Sequence, residues 1–557
     1  TFKDQNMFAA LTPNKQWRVS IHTFNAVLAC WLASFTNGSF YHKVLQLSAF
    51  DGLMQVLFMS ATFLLIAGVN FIFLQLISWR ASAKTVAVIM IVLTGLTSYF
   101  VNQLGVNVNT AQIENVMQTD TREALDLLSI PLLLWVLKII VVPLIGLLFI
   151  QIKPANNLKH LLIGKFGSLA VALFIIGAGL FSFYSQYAPI FRENRELKAQ
   201  ISPLNVISSS WSYSRRQYKK RDLPLVKYGE DAHIVHTVGT HAPKIMVLVV
   251  GETARAENFS LNGYHKPTNP ELSKLDLVNF TQASSCGTQT SVSVPCMFSG
   301  MKRSAYDEAL AGHREGLLDI VQRAGYEVTW IDNNSGCKGA CDRIQHYISP
   351  KDDPRYKNQC KDGECYDGIL IDALKDYLKA LDLKQLKKDQ LIVLHQLGSH
   401  GPAYYKRYPA AFKKFTPTCD TNNIQNCSRE SLINSYDNTI LYTDHVLSTL
   451  IHTLDALPVS TGLMYLSDHG ESTGENGLYL HGTPYFMAPK EQTHIPMLFW
   501  FSTTWPQQQT IKQCLNGQKN NPVSQDNLFP TVLGLLHIRT QVLDSSLDLT
   551  AQCRGKL

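Results

Sequence analysis

The hydrophobic pattern divides the chain into two parts of different character. Residues 1 to about 190 are mostly apolar with sparse charges, whereas the residues after about 215 mix apolar and polar positions as a soluble protein does. Five apolar runs in the first part are long enough, or nearly long enough, to cross a bilayer as helices. We predict these crossings at residues 19–36, 52–79, 86–100, 127–151 and 161–184. A signal peptide is a poor alternative, because it would need only one such run.

The second part alternates short apolar runs, typical of buried strands, with longer runs typical of helices. The predicted strands are residues 245–250, 327–331, 391–394, 462–466 and 497–501, and the predicted helices are residues 316–323, 369–386 and 432–457. This alternation favours a mostly parallel sheet sandwiched by helices. The predicted fold is therefore an N-terminal bundle of five transmembrane α-helices followed by an α/β domain.

A polar segment connects the two parts. It contains a cluster of basic side chains, namely Arg215, Arg216, Lys219, Lys220 and Arg221. An amphipathic helix lying on the membrane and a plain solvated bridge explain this pattern equally well. The predicted domains are thus residues 1–190 in the membrane, residues 191–222 as an interfacial linker, and residues 223–557 as a soluble domain.

The basic residues between the apolar runs predict the orientation in the membrane. They are concentrated in the N-terminal tail and in the second and fourth connections, at Lys3, Lys15, Arg18, Arg80, Lys84, Lys153, Lys159 and Lys165. The other two connections contain only Lys43 and Arg122. We therefore expect a cytoplasmic tail, with five crossings placing the soluble part on the far side. The net charge of +7 is spread along the chain; it suits an anionic membrane surface and does not indicate nucleic acid.

The cysteines support an exported domain. Of the 11 cysteines, Cys30 lies in the first predicted crossing, and the other ten follow residue 285. An even set of closely spaced cysteines in an exported domain indicates disulfides. Zinc binding by these thiols is the alternative, which their irregular spacing disfavours. Pairing of neighbours along the chain predicts the bridges Cys286–Cys296, Cys337–Cys341, Cys360–Cys365, Cys419–Cys427 and Cys514–Cys553.

Metal-ligand side chains follow several of the predicted strands. Open α/β sheets bind their ligands at the carboxyl ends of the strands, and carboxylates together with imidazoles suit zinc. The neighbours Asp468 and His469 can reach one ion only if the strand has ended in a turn, which Gly470 can supply. On its own, this pair is equally explained by a turn Asp beside a surface His. The repeated placement of such residues favours a metal site. They are Glu252, Asp332, Asn333, His395, His400, Asp468 and His469.

A hydroxyl-rich segment at residues 285–296 contains a candidate nucleophile. A helix beginning at Thr290 would present free N–H groups to a phosphate. A zinc-bound hydroxyl there has a lowered pKa and can attack as an alkoxide. The alternative role for such a threonine is helix capping, and Thr288 is a second candidate. The predicted Cys286–Cys296 bridge would keep this loop rigid.

Several motifs together carry a resemblance that covers nearly the whole chain. The chain resembles phosphoethanolamine transferases of the lipid A-modifying type, which include the mobile colistin-resistance enzymes. Asp-His-Gly alone indicates only the wider alkaline phosphatase and sulfatase superfamily. The motifs are Val250-Gly-Glu-Thr-Ala-Arg255, Asn262-Gly-Tyr264, Cys286-Gly-Thr-Gln-Thr290, Ser293-Val-Pro-Cys-Met-Phe298, Gly398-Ser-His-Gly-Pro402, Ser467-Asp-His-Gly-Glu-Ser472 and His481-Gly-Thr483.

The resemblance implies roles for particular residues. It implies a firmly bound zinc ion held by Glu252, Thr290, Asp468 and His469, with Thr290 as the nucleophile. It implies a substrate phosphate pocket formed by Ser335, Lys338, His400 and His481. The two histidines of this pocket can also take part in a second zinc site. It further implies that Asn115, Thr119 and Glu123, in the connection between crossings three and four, bind the ethanolamine head group. These positions are four residues apart and would share one face of a helix, and an ordinary polar helix face is the alternative. The implied substrate-binding residues are Asn115, Thr119, Glu123, Ser335, Lys338, His395, His400 and His481.

The implied reaction moves phosphoethanolamine from phosphatidylethanolamine to a lipid A phosphate through a phosphoethanolamine–Thr290 intermediate. The product carries less negative charge, which weakens binding of polymyxin and other cationic peptides. The implied protein is a multi-pass bacterial inner-membrane enzyme, expected to be a monomer, with a periplasmic catalytic domain in contact with membrane lipids. Core sugars remain open as acceptors.

Three other functions are weighed against this one. A sulfatase is disfavoured because the Cys or Ser context needed for formylglycine is missing around Thr290. A glycerol-phosphate transferase of the same superfamily shares the crossings and the threonine but usually has few cysteines. A non-catalytic membrane binding protein would not require Thr290 together with the ligand-type residues at one sheet edge.

Overall fold

The computed structural model describes residues 17–119, 121–155, 157–220, 223–235, 243–361 and 364–553. Two compact units are present in it. The first comprises the described residues of 1–113 and 128–214, and the second comprises those of 114–127 and 215–557. Lys3, Lys15 and Arg221 lie outside the described residues, as do the side chains of Arg122, Glu123, Lys219 and Lys220.

The first part of the chain is almost entirely helical. Helix α3 (Gly52–Ile77) packs against both α1 (Ile21–Phe35) and α9 (Leu158–Ser182). In chain order, its elements are β1 (Trp17–Val19), α1 (Ile21–Phe35), α2 (Gly38–Leu47), α3 (Gly52–Ile77), α4 (Ala83–Leu104), α5 (Thr110–Gln118), α6 (Thr121–Asp126), α7 (Ile130–Val136), α8 (Val142–Leu148), β2 (Ile150–Ile152), α9 (Leu158–Ser182), α10 (Tyr184–Glu193) and α11 (Leu204–Lys220).

Within the described residues, four helices are long and apolar enough to cross a membrane. They are Gly52–Ile77, Ala83–Leu104, Ile130–Leu148 and Leu158–Ser182. The first predicted crossing forms the 15-residue helix α1. That helix is about 22 Å long, which is shorter than a hydrocarbon core of about 30 Å. It ends where the side-chain amide of Asn37 donates to the carbonyl of Leu32 at 2.9 Å. The predicted count of five crossings is therefore not confirmed.

The second unit is built on an eight-stranded sheet. Its strands and helices are β3 (His233–Ile234), β4 (Lys244–Gly251), β5 (Val278–Ser284), α12 (Thr290–Ser299), α13 (Glu308–His313), α14 (Leu317–Ala324), β6 (Glu327–Asp332), β7 (His346–Ile348), β8 (Cys360–Lys361), β9 (Glu364–Cys365), α15 (Gly368–Ala380), β10 (Gln390–His395), α16 (Arg429–Asp455), β11 (Ser460–Ser467), β12 (Ser472–Thr473), β13 (Tyr479–Leu480), α17 (Lys490–Thr493), β14 (His494–Phe501), α18 (Gln508–Gln518), β15 (Val523–Ser524), α19 (Leu528–Leu535) and β16 (Ile538–Arg539). In the sheet, strands β7, β6, β10, β4 and β11 run parallel, β14 is antiparallel to β11 and β5, and β15 pairs with β5.

Helices cover both faces of this sheet. Every residue of β4, β10 and β11 is buried, and alternate residues of β4 pack into two separate hydrophobic cores. One core includes side chains of α12, α14, α18 and α19, and the other includes side chains of α15 and α16. This arrangement confirms the predicted α/β sandwich with a mostly parallel sheet.

The structure differs from the predicted elements in three respects. Strand β14 runs antiparallel to its neighbours, because an apolar run carries no information about direction. Strands β5, β7 and β15 were not predicted, since they are short or contain polar positions. The helix predicted at residues 369–386 ends at Ala380, where the backbone of Leu381 becomes extended.

All five disulfides predicted from neighbouring cysteines are present. Cys30 is the one free cysteine among the described residues. Four of the bridges join cysteines at most 10 positions apart, and one of these closes the loop that contains Thr290. The fifth, Cys514–Cys553, spans 39 positions.

Candidate active site

The register of the sheet aligns the ends of the central strands. Val250 pairs with Leu466 across β4 and β11, and it pairs with His395 across β4 and β10. Glu252 and Asp468 therefore leave the sheet side by side. Asp332 lies opposite His395 at the end of β6. The side chains predicted from separate strand ends are thus brought to one edge.

The four predicted zinc ligands form one buried cluster, called the metal set below. Nε2 of His469 lies 3.4 Å from Oε1 of Glu252 and 3.3 Å from Oδ2 of Asp468. The hydroxyl of Thr290 donates to Oε2 of Glu252 at 3.0 Å and lies 3.4 Å from Nε2 of His469. Glu252, Asp468 and His469 are at most 1% exposed, and Thr290 is 9% exposed. The residues of the predicted metal set therefore converge.

The donor atoms of this cluster fit a cation. One ligand atom each from Glu252, Asp468 and His469 lie within 4.8 Å of one another. Oε1 of Glu252 and Oδ2 of Asp468 are buried, and the described residues give them no hydrogen bond. Nδ1 of His469 lies 2.8 Å from the carbonyl of Gly470, which directs Nε2 toward the carboxylates. Two carboxylates, one imidazole and a hydroxyl at a buried point are a ligand set that zinc accepts.

Burial and crowding perturb the protonation of these groups. Burial, together with the neighbouring Glu252 carboxylate, raises the pKa of Asp468 well above its ordinary value. Burial also lowers the pKa of His469 to about 3, so that its imidazole is neutral and able to bind a metal. Two buried carboxylates side by side repel one another, which a bound cation would relieve.

Thr290 is the first residue of α12, as the sequence predicted. The loop before it is held by the Cys286–Cys296 bridge. The N–H of Cys286 donates to Oε1 of Gln525 at 2.7 Å, and Nε2 of Gln525 donates to the carbonyl of Asp468 at 2.7 Å. Gln525 therefore connects the loop of the nucleophile to the strand end of the metal set. Sequence reasoning missed it, because nothing near it in the chain signals this contact.

Two glycines allow close backbone packing at the cluster. A Cβ at Gly470 would overlap the carbonyl oxygen of Glu491. Glycine is therefore required here because the two backbones lie close together, in addition to the turn that the sequence suggested. Gly398 has a φ of +57°, and a Cβ there would lie 2.5 Å from the carbonyl oxygen of Glu252. Gly398 thus lets the loop after β10 pass directly beside a metal-set residue.

The predicted phosphate-binding residues Ser335 and Lys338 lie next to this cluster. Nζ of Lys338 donates to the hydroxyl of Ser335 at 2.9 Å. The neighbouring Asn334 donates to Oε2 of Glu252 at 2.8 Å and to the carbonyl of Gln396 at 2.8 Å. Sequence reasoning missed Asn334, although its position directly after Asp332-Asn333 at a strand end was a usable signal.

His400 and His481 approach the cluster from two loops. The ring of His481 lies 4.6 Å from that of His469 and 5.6 Å from that of His400. Nδ1 of His481 lies 3.4 Å from Oε1 of Glu471, a fully buried carboxylate that sequence reasoning did not single out. Burial lowers the pKa of His481, but the Glu471 carboxylate outweighs it, and the pKa lies above its ordinary value.

His395 has a different environment from the one predicted. It is the last residue of β10 and is buried, whereas the sequence placed it at the start of the following turn. Its Nδ1 lies 2.8 Å from Oδ1 of Asp332. That carboxylate also accepts from the hydroxyl of Tyr347 at 3.0 Å. The strand therefore ends one residue later than its apolar pattern predicted, because a polar residue that is buried and paired can still belong to a strand.

The predicted head-group residues lie in residues 114–127, which belong to the second unit, called the catalytic unit below because it contains the buried cluster. The hydroxyl of Thr119 donates to the carbonyl of Asn115 at 2.9 Å. The structure has two helices here, Thr110–Gln118 and Thr121–Asp126, so the three positions do not share one continuous helix as their spacing suggested. The side chain of Glu123 lies outside the described residues.

Comparison with known proteins places this site in a family. Residues 65–218 match the family model "Phosphoethanolamine transferase EptA/EptB", and residues 244–538 match the family model "Sulfatase". The phosphoethanolamine transferase EptA of Salmonella typhimurium is 43% identical over 531 residues, which cover 94% of this chain and 95% of that protein. The chain belongs to the phosphoethanolamine transferase family.

Other members of the phosphoethanolamine transferase family match along most of the chain. The phosphatidylethanolamine transferase Mcr-1 of Escherichia coli is 36% identical over 499 residues, covering 86% of this chain and 90% of that protein. The solved structure of the integral membrane lipooligosaccharide phosphoethanolamine transferase A from Neisseria meningitidis superposes with a TM-score of 0.91 at 36% identity, covering 97% of this chain and all of that one. The family predicted from the motifs is thereby confirmed.

Proposed function

We propose that this chain transfers phosphoethanolamine from phosphatidylethanolamine to a phosphate of lipid A, with Thr290 as the nucleophile. The observation that carries this proposal is the hydroxyl of Thr290, which donates to Glu252 within a buried cluster of two carboxylates and an imidazole. The family membership gives the class of transferred group. The lipid acceptor is supported by the apolar helices of the first unit, which suit an enzyme whose substrates are lipids.

Glu252, Asp468, His469 and Thr290 would hold one zinc ion. When bound, zinc lowers the pKa of a coordinated hydroxyl and stabilises negative charge on phosphoryl oxygens. His400 and His481 are placed to take part in a second site when their imidazoles are neutral. The free N–H groups at the start of α12 add a positive field where the phosphate would lie.

The reaction proceeds in two displacements. The Thr290 hydroxyl gives its proton to Oε2 of Glu252, to which it donates a hydrogen bond, as its oxygen bonds to phosphorus. The bond from phosphorus to the diacylglycerol oxygen breaks, and His481, whose charged form Glu471 favours, donates a proton to that leaving oxygen. The hydroxyl oxygen of a singly protonated lipid A phosphate then attacks the same phosphorus and passes its proton to His481. The bond from phosphorus to the Thr290 oxygen breaks, and that oxygen takes its proton back from Glu252. Lys338 stabilises the charge on the transferring oxygens.

The location and consequence follow from the substrates. We propose five membrane crossings, a cytoplasmic N-terminal tail and a periplasmic catalytic domain in the bacterial inner membrane. Each transfer adds an ammonium group to lipid A and so lowers its negative charge. Polymyxin and other cationic peptides then bind more weakly, which is the expected resistance phenotype.

The proposed function is tested by mass spectrometry of lipid A from cells expressing the chain. We expect phosphoethanolamine-modified lipid A with the native chain and none with Thr290→Ala. Thr281→Ala is the matched control, because its hydroxyl bonds to Asn520 on an exposed edge. Full modification by Thr290→Ala would contradict the nucleophile. Fragmentation of the modified lipid also shows whether the group is on a phosphate of lipid A or on a Kdo sugar. The second acceptor is considered because a 25% identical relative from Salmonella typhimurium is named Kdo(2)-lipid A phosphoethanolamine 7''-transferase.

The head-group role needs a separate test. We propose that Asn115, Thr119 and Glu123 bind the ethanolamine, with the Glu123 carboxylate facing the ammonium. Glu123→Ala should then slow transfer while leaving the zinc content unchanged. Normal transfer by this variant would exclude the role.

A further inference from the structure

Asp126 ties the segment of residues 114–127 into the catalytic unit. It is the last residue of α6 and is 4% exposed. Its carboxylate forms ion pairs with Lys406 and with Nη2 of Arg407, the latter at 2.8 Å. Its carbonyl accepts from the side-chain amide of Asn422 at 2.7 Å. One residue thus makes three polar contacts with loops that follow β10.

Arg407 is shared between this segment and the active site. Its side chain is 1% exposed. Besides Asp126, its guanidinium donates to Oε2 of Glu364 at 2.5 Å and, through Nε, to the main-chain carbonyl of His400 at 2.8 Å. A planar guanidinium with three fixed acceptors holds them in a defined geometry. Arg407 therefore fixes α6, the hairpin of β8 and β9, and the loop of His400 relative to one another.

The guanidinium of Arg407 stays charged although it is buried. Burial disfavours the charged guanidinium, but Glu364 and Asp126 outweigh that effect, and the pKa of Arg407 lies above its ordinary value. Loss of the Asp126 carboxylate would still leave Arg407 paired with Glu364 and bonded to His400. Asp126 can therefore be removed without withdrawing support from the loop of His400.

We propose that Asp126 is a positioning residue that docks residues 114–127 onto Arg407, and so sets the distance between the head-group residues and the phosphate site. This inference rests on the proposed function, because Asn115, Thr119 and Glu123 belong to the docked segment. When the segment is released, the ammonium and the phosphate of the donor are no longer held together. Donor binding then weakens, while a bound donor still meets an intact site.

The test uses the full-length protein in detergent micelles with the variant Asp126→Asn. We expect the KM for phosphatidylethanolamine to rise about tenfold and kcat to change less than about twofold, as loss of ground-state binding requires. Hydrogen exchange in peptides spanning residues 110–128 should accelerate about tenfold, while peptides spanning residues 395–407 keep their protection. Asp126→Glu, which retains the carboxylate, should recover most of the donor affinity.

A matched control and a milder variant make the outcome decisive. Asp420→Asn removes a carboxylate paired with exposed Lys413 at 2.6 Å, and it should change neither KM nor exchange. If Asp126→Asn does not fold, Asn422→Ala leaves the Asp126 carboxylate in place but removes the bond to the Asp126 carbonyl, together with the bond that Asn422 accepts from the hydroxyl of Tyr405 at 3.3 Å. This variant should raise KM and exchange about threefold.

Each outcome has a defined meaning. Unchanged exchange in residues 110–128 would overturn the docking role, and unchanged donor KM would overturn the link to donor binding. A fall in kcat with unchanged KM would also overturn the proposal, because it would show that Asp126 affects the chemical step and not donor binding. Absence of transfer by the native protein would instead remove the proposed function, and hydrogen exchange alone would then decide the docking.

Discussion

Replacing Glu252 with glutamine should have opposite effects with and without zinc. In the metal-free protein, Glu252 and Asp468 are buried together, and their ligand atoms lie within 4.8 Å of one another. Two charges at that separation repel by about 3.5 kcal/mol at an effective dielectric constant of about 20. Protonation of Asp468, whose pKa is raised, relieves part of this repulsion.

Glu252→Gln removes the repulsion and preserves most of the local hydrogen bonds. The glutamine carbonyl can still accept from Thr290 and Asn334, as Oε2 of Glu252 does. Its amide replaces Oε1 and offers a donor to Asp468. The metal-free variant should therefore be more stable than the metal-free native protein by about 2 kcal/mol, which raises the Tm by about 4 °C.

Zinc should reverse this order. At a zinc concentration of about a thousand times Kd, the native protein gains about 4 kcal/mol, or about 8 °C in Tm. A site weakened about a hundredfold by loss of the carboxylate gains only about 1.4 kcal/mol, or about 3 °C. The assay is thermal unfolding followed by near-ultraviolet circular dichroism, first after chelation and then after zinc addition.

A control and two outcomes complete this test. Glu257→Gln makes the same chemical change at a carboxylate that pairs with His494 at 2.9 Å, and it should keep the full zinc response. An equal gain on zinc addition for Glu252→Gln and the native protein would refute the metal site. A metal-free variant less stable than the metal-free native protein would refute the repulsion.

Two further predictions concern the loops around the cluster. Gly398→Ala should destabilise the protein by about 3 kcal/mol and lower zinc affinity, because it adds a clash with Glu252 to the cost of a positive φ. Gly263→Ala, at a φ of +92° with open space around its Cβ, should cost only about 1 kcal/mol in chemical denaturation and leave zinc content unchanged. Replacing both Cys286 and Cys296 with serine should lower the rate of transfer about tenfold while zinc remains bound, because the loop of the nucleophile loses its brace; a native rate in a phospholipid transfer assay would show that the bridge has no role in positioning.

The central strands and the metal set could be predicted because their signals are local. Strands β4 and β11 are continuous apolar runs buried on both faces, and such runs are visible in a sequence. Glu252 and Asp468 follow those runs directly. The rule that parallel strands present their carboxyl ends at one edge then brings them together without any knowledge of distant contacts.

Other parts of the site depend on contacts between residues far apart in the chain. Gln525 joins the loop of Cys286 across 239 positions, and Asp126 meets Arg407 across 281 positions. Neither residue has a local pattern that distinguishes it from an ordinary polar position. The antiparallel direction of β14 and the short length of α1 likewise depend on tertiary packing and on the capping contact of Asn37.

The most direct test of Thr290 as the nucleophile is mass spectrometry of the protein itself after incubation with phosphatidylethanolamine. Without an acceptor, the intact protein should gain the mass of one phosphoethanolamine group, and peptide mapping should place that group on Thr290. Addition of lipid A should then remove the group. A modified residue other than Thr290, or transfer without any covalent adduct in rapidly quenched samples, would show that Thr290 does not carry the transferred group.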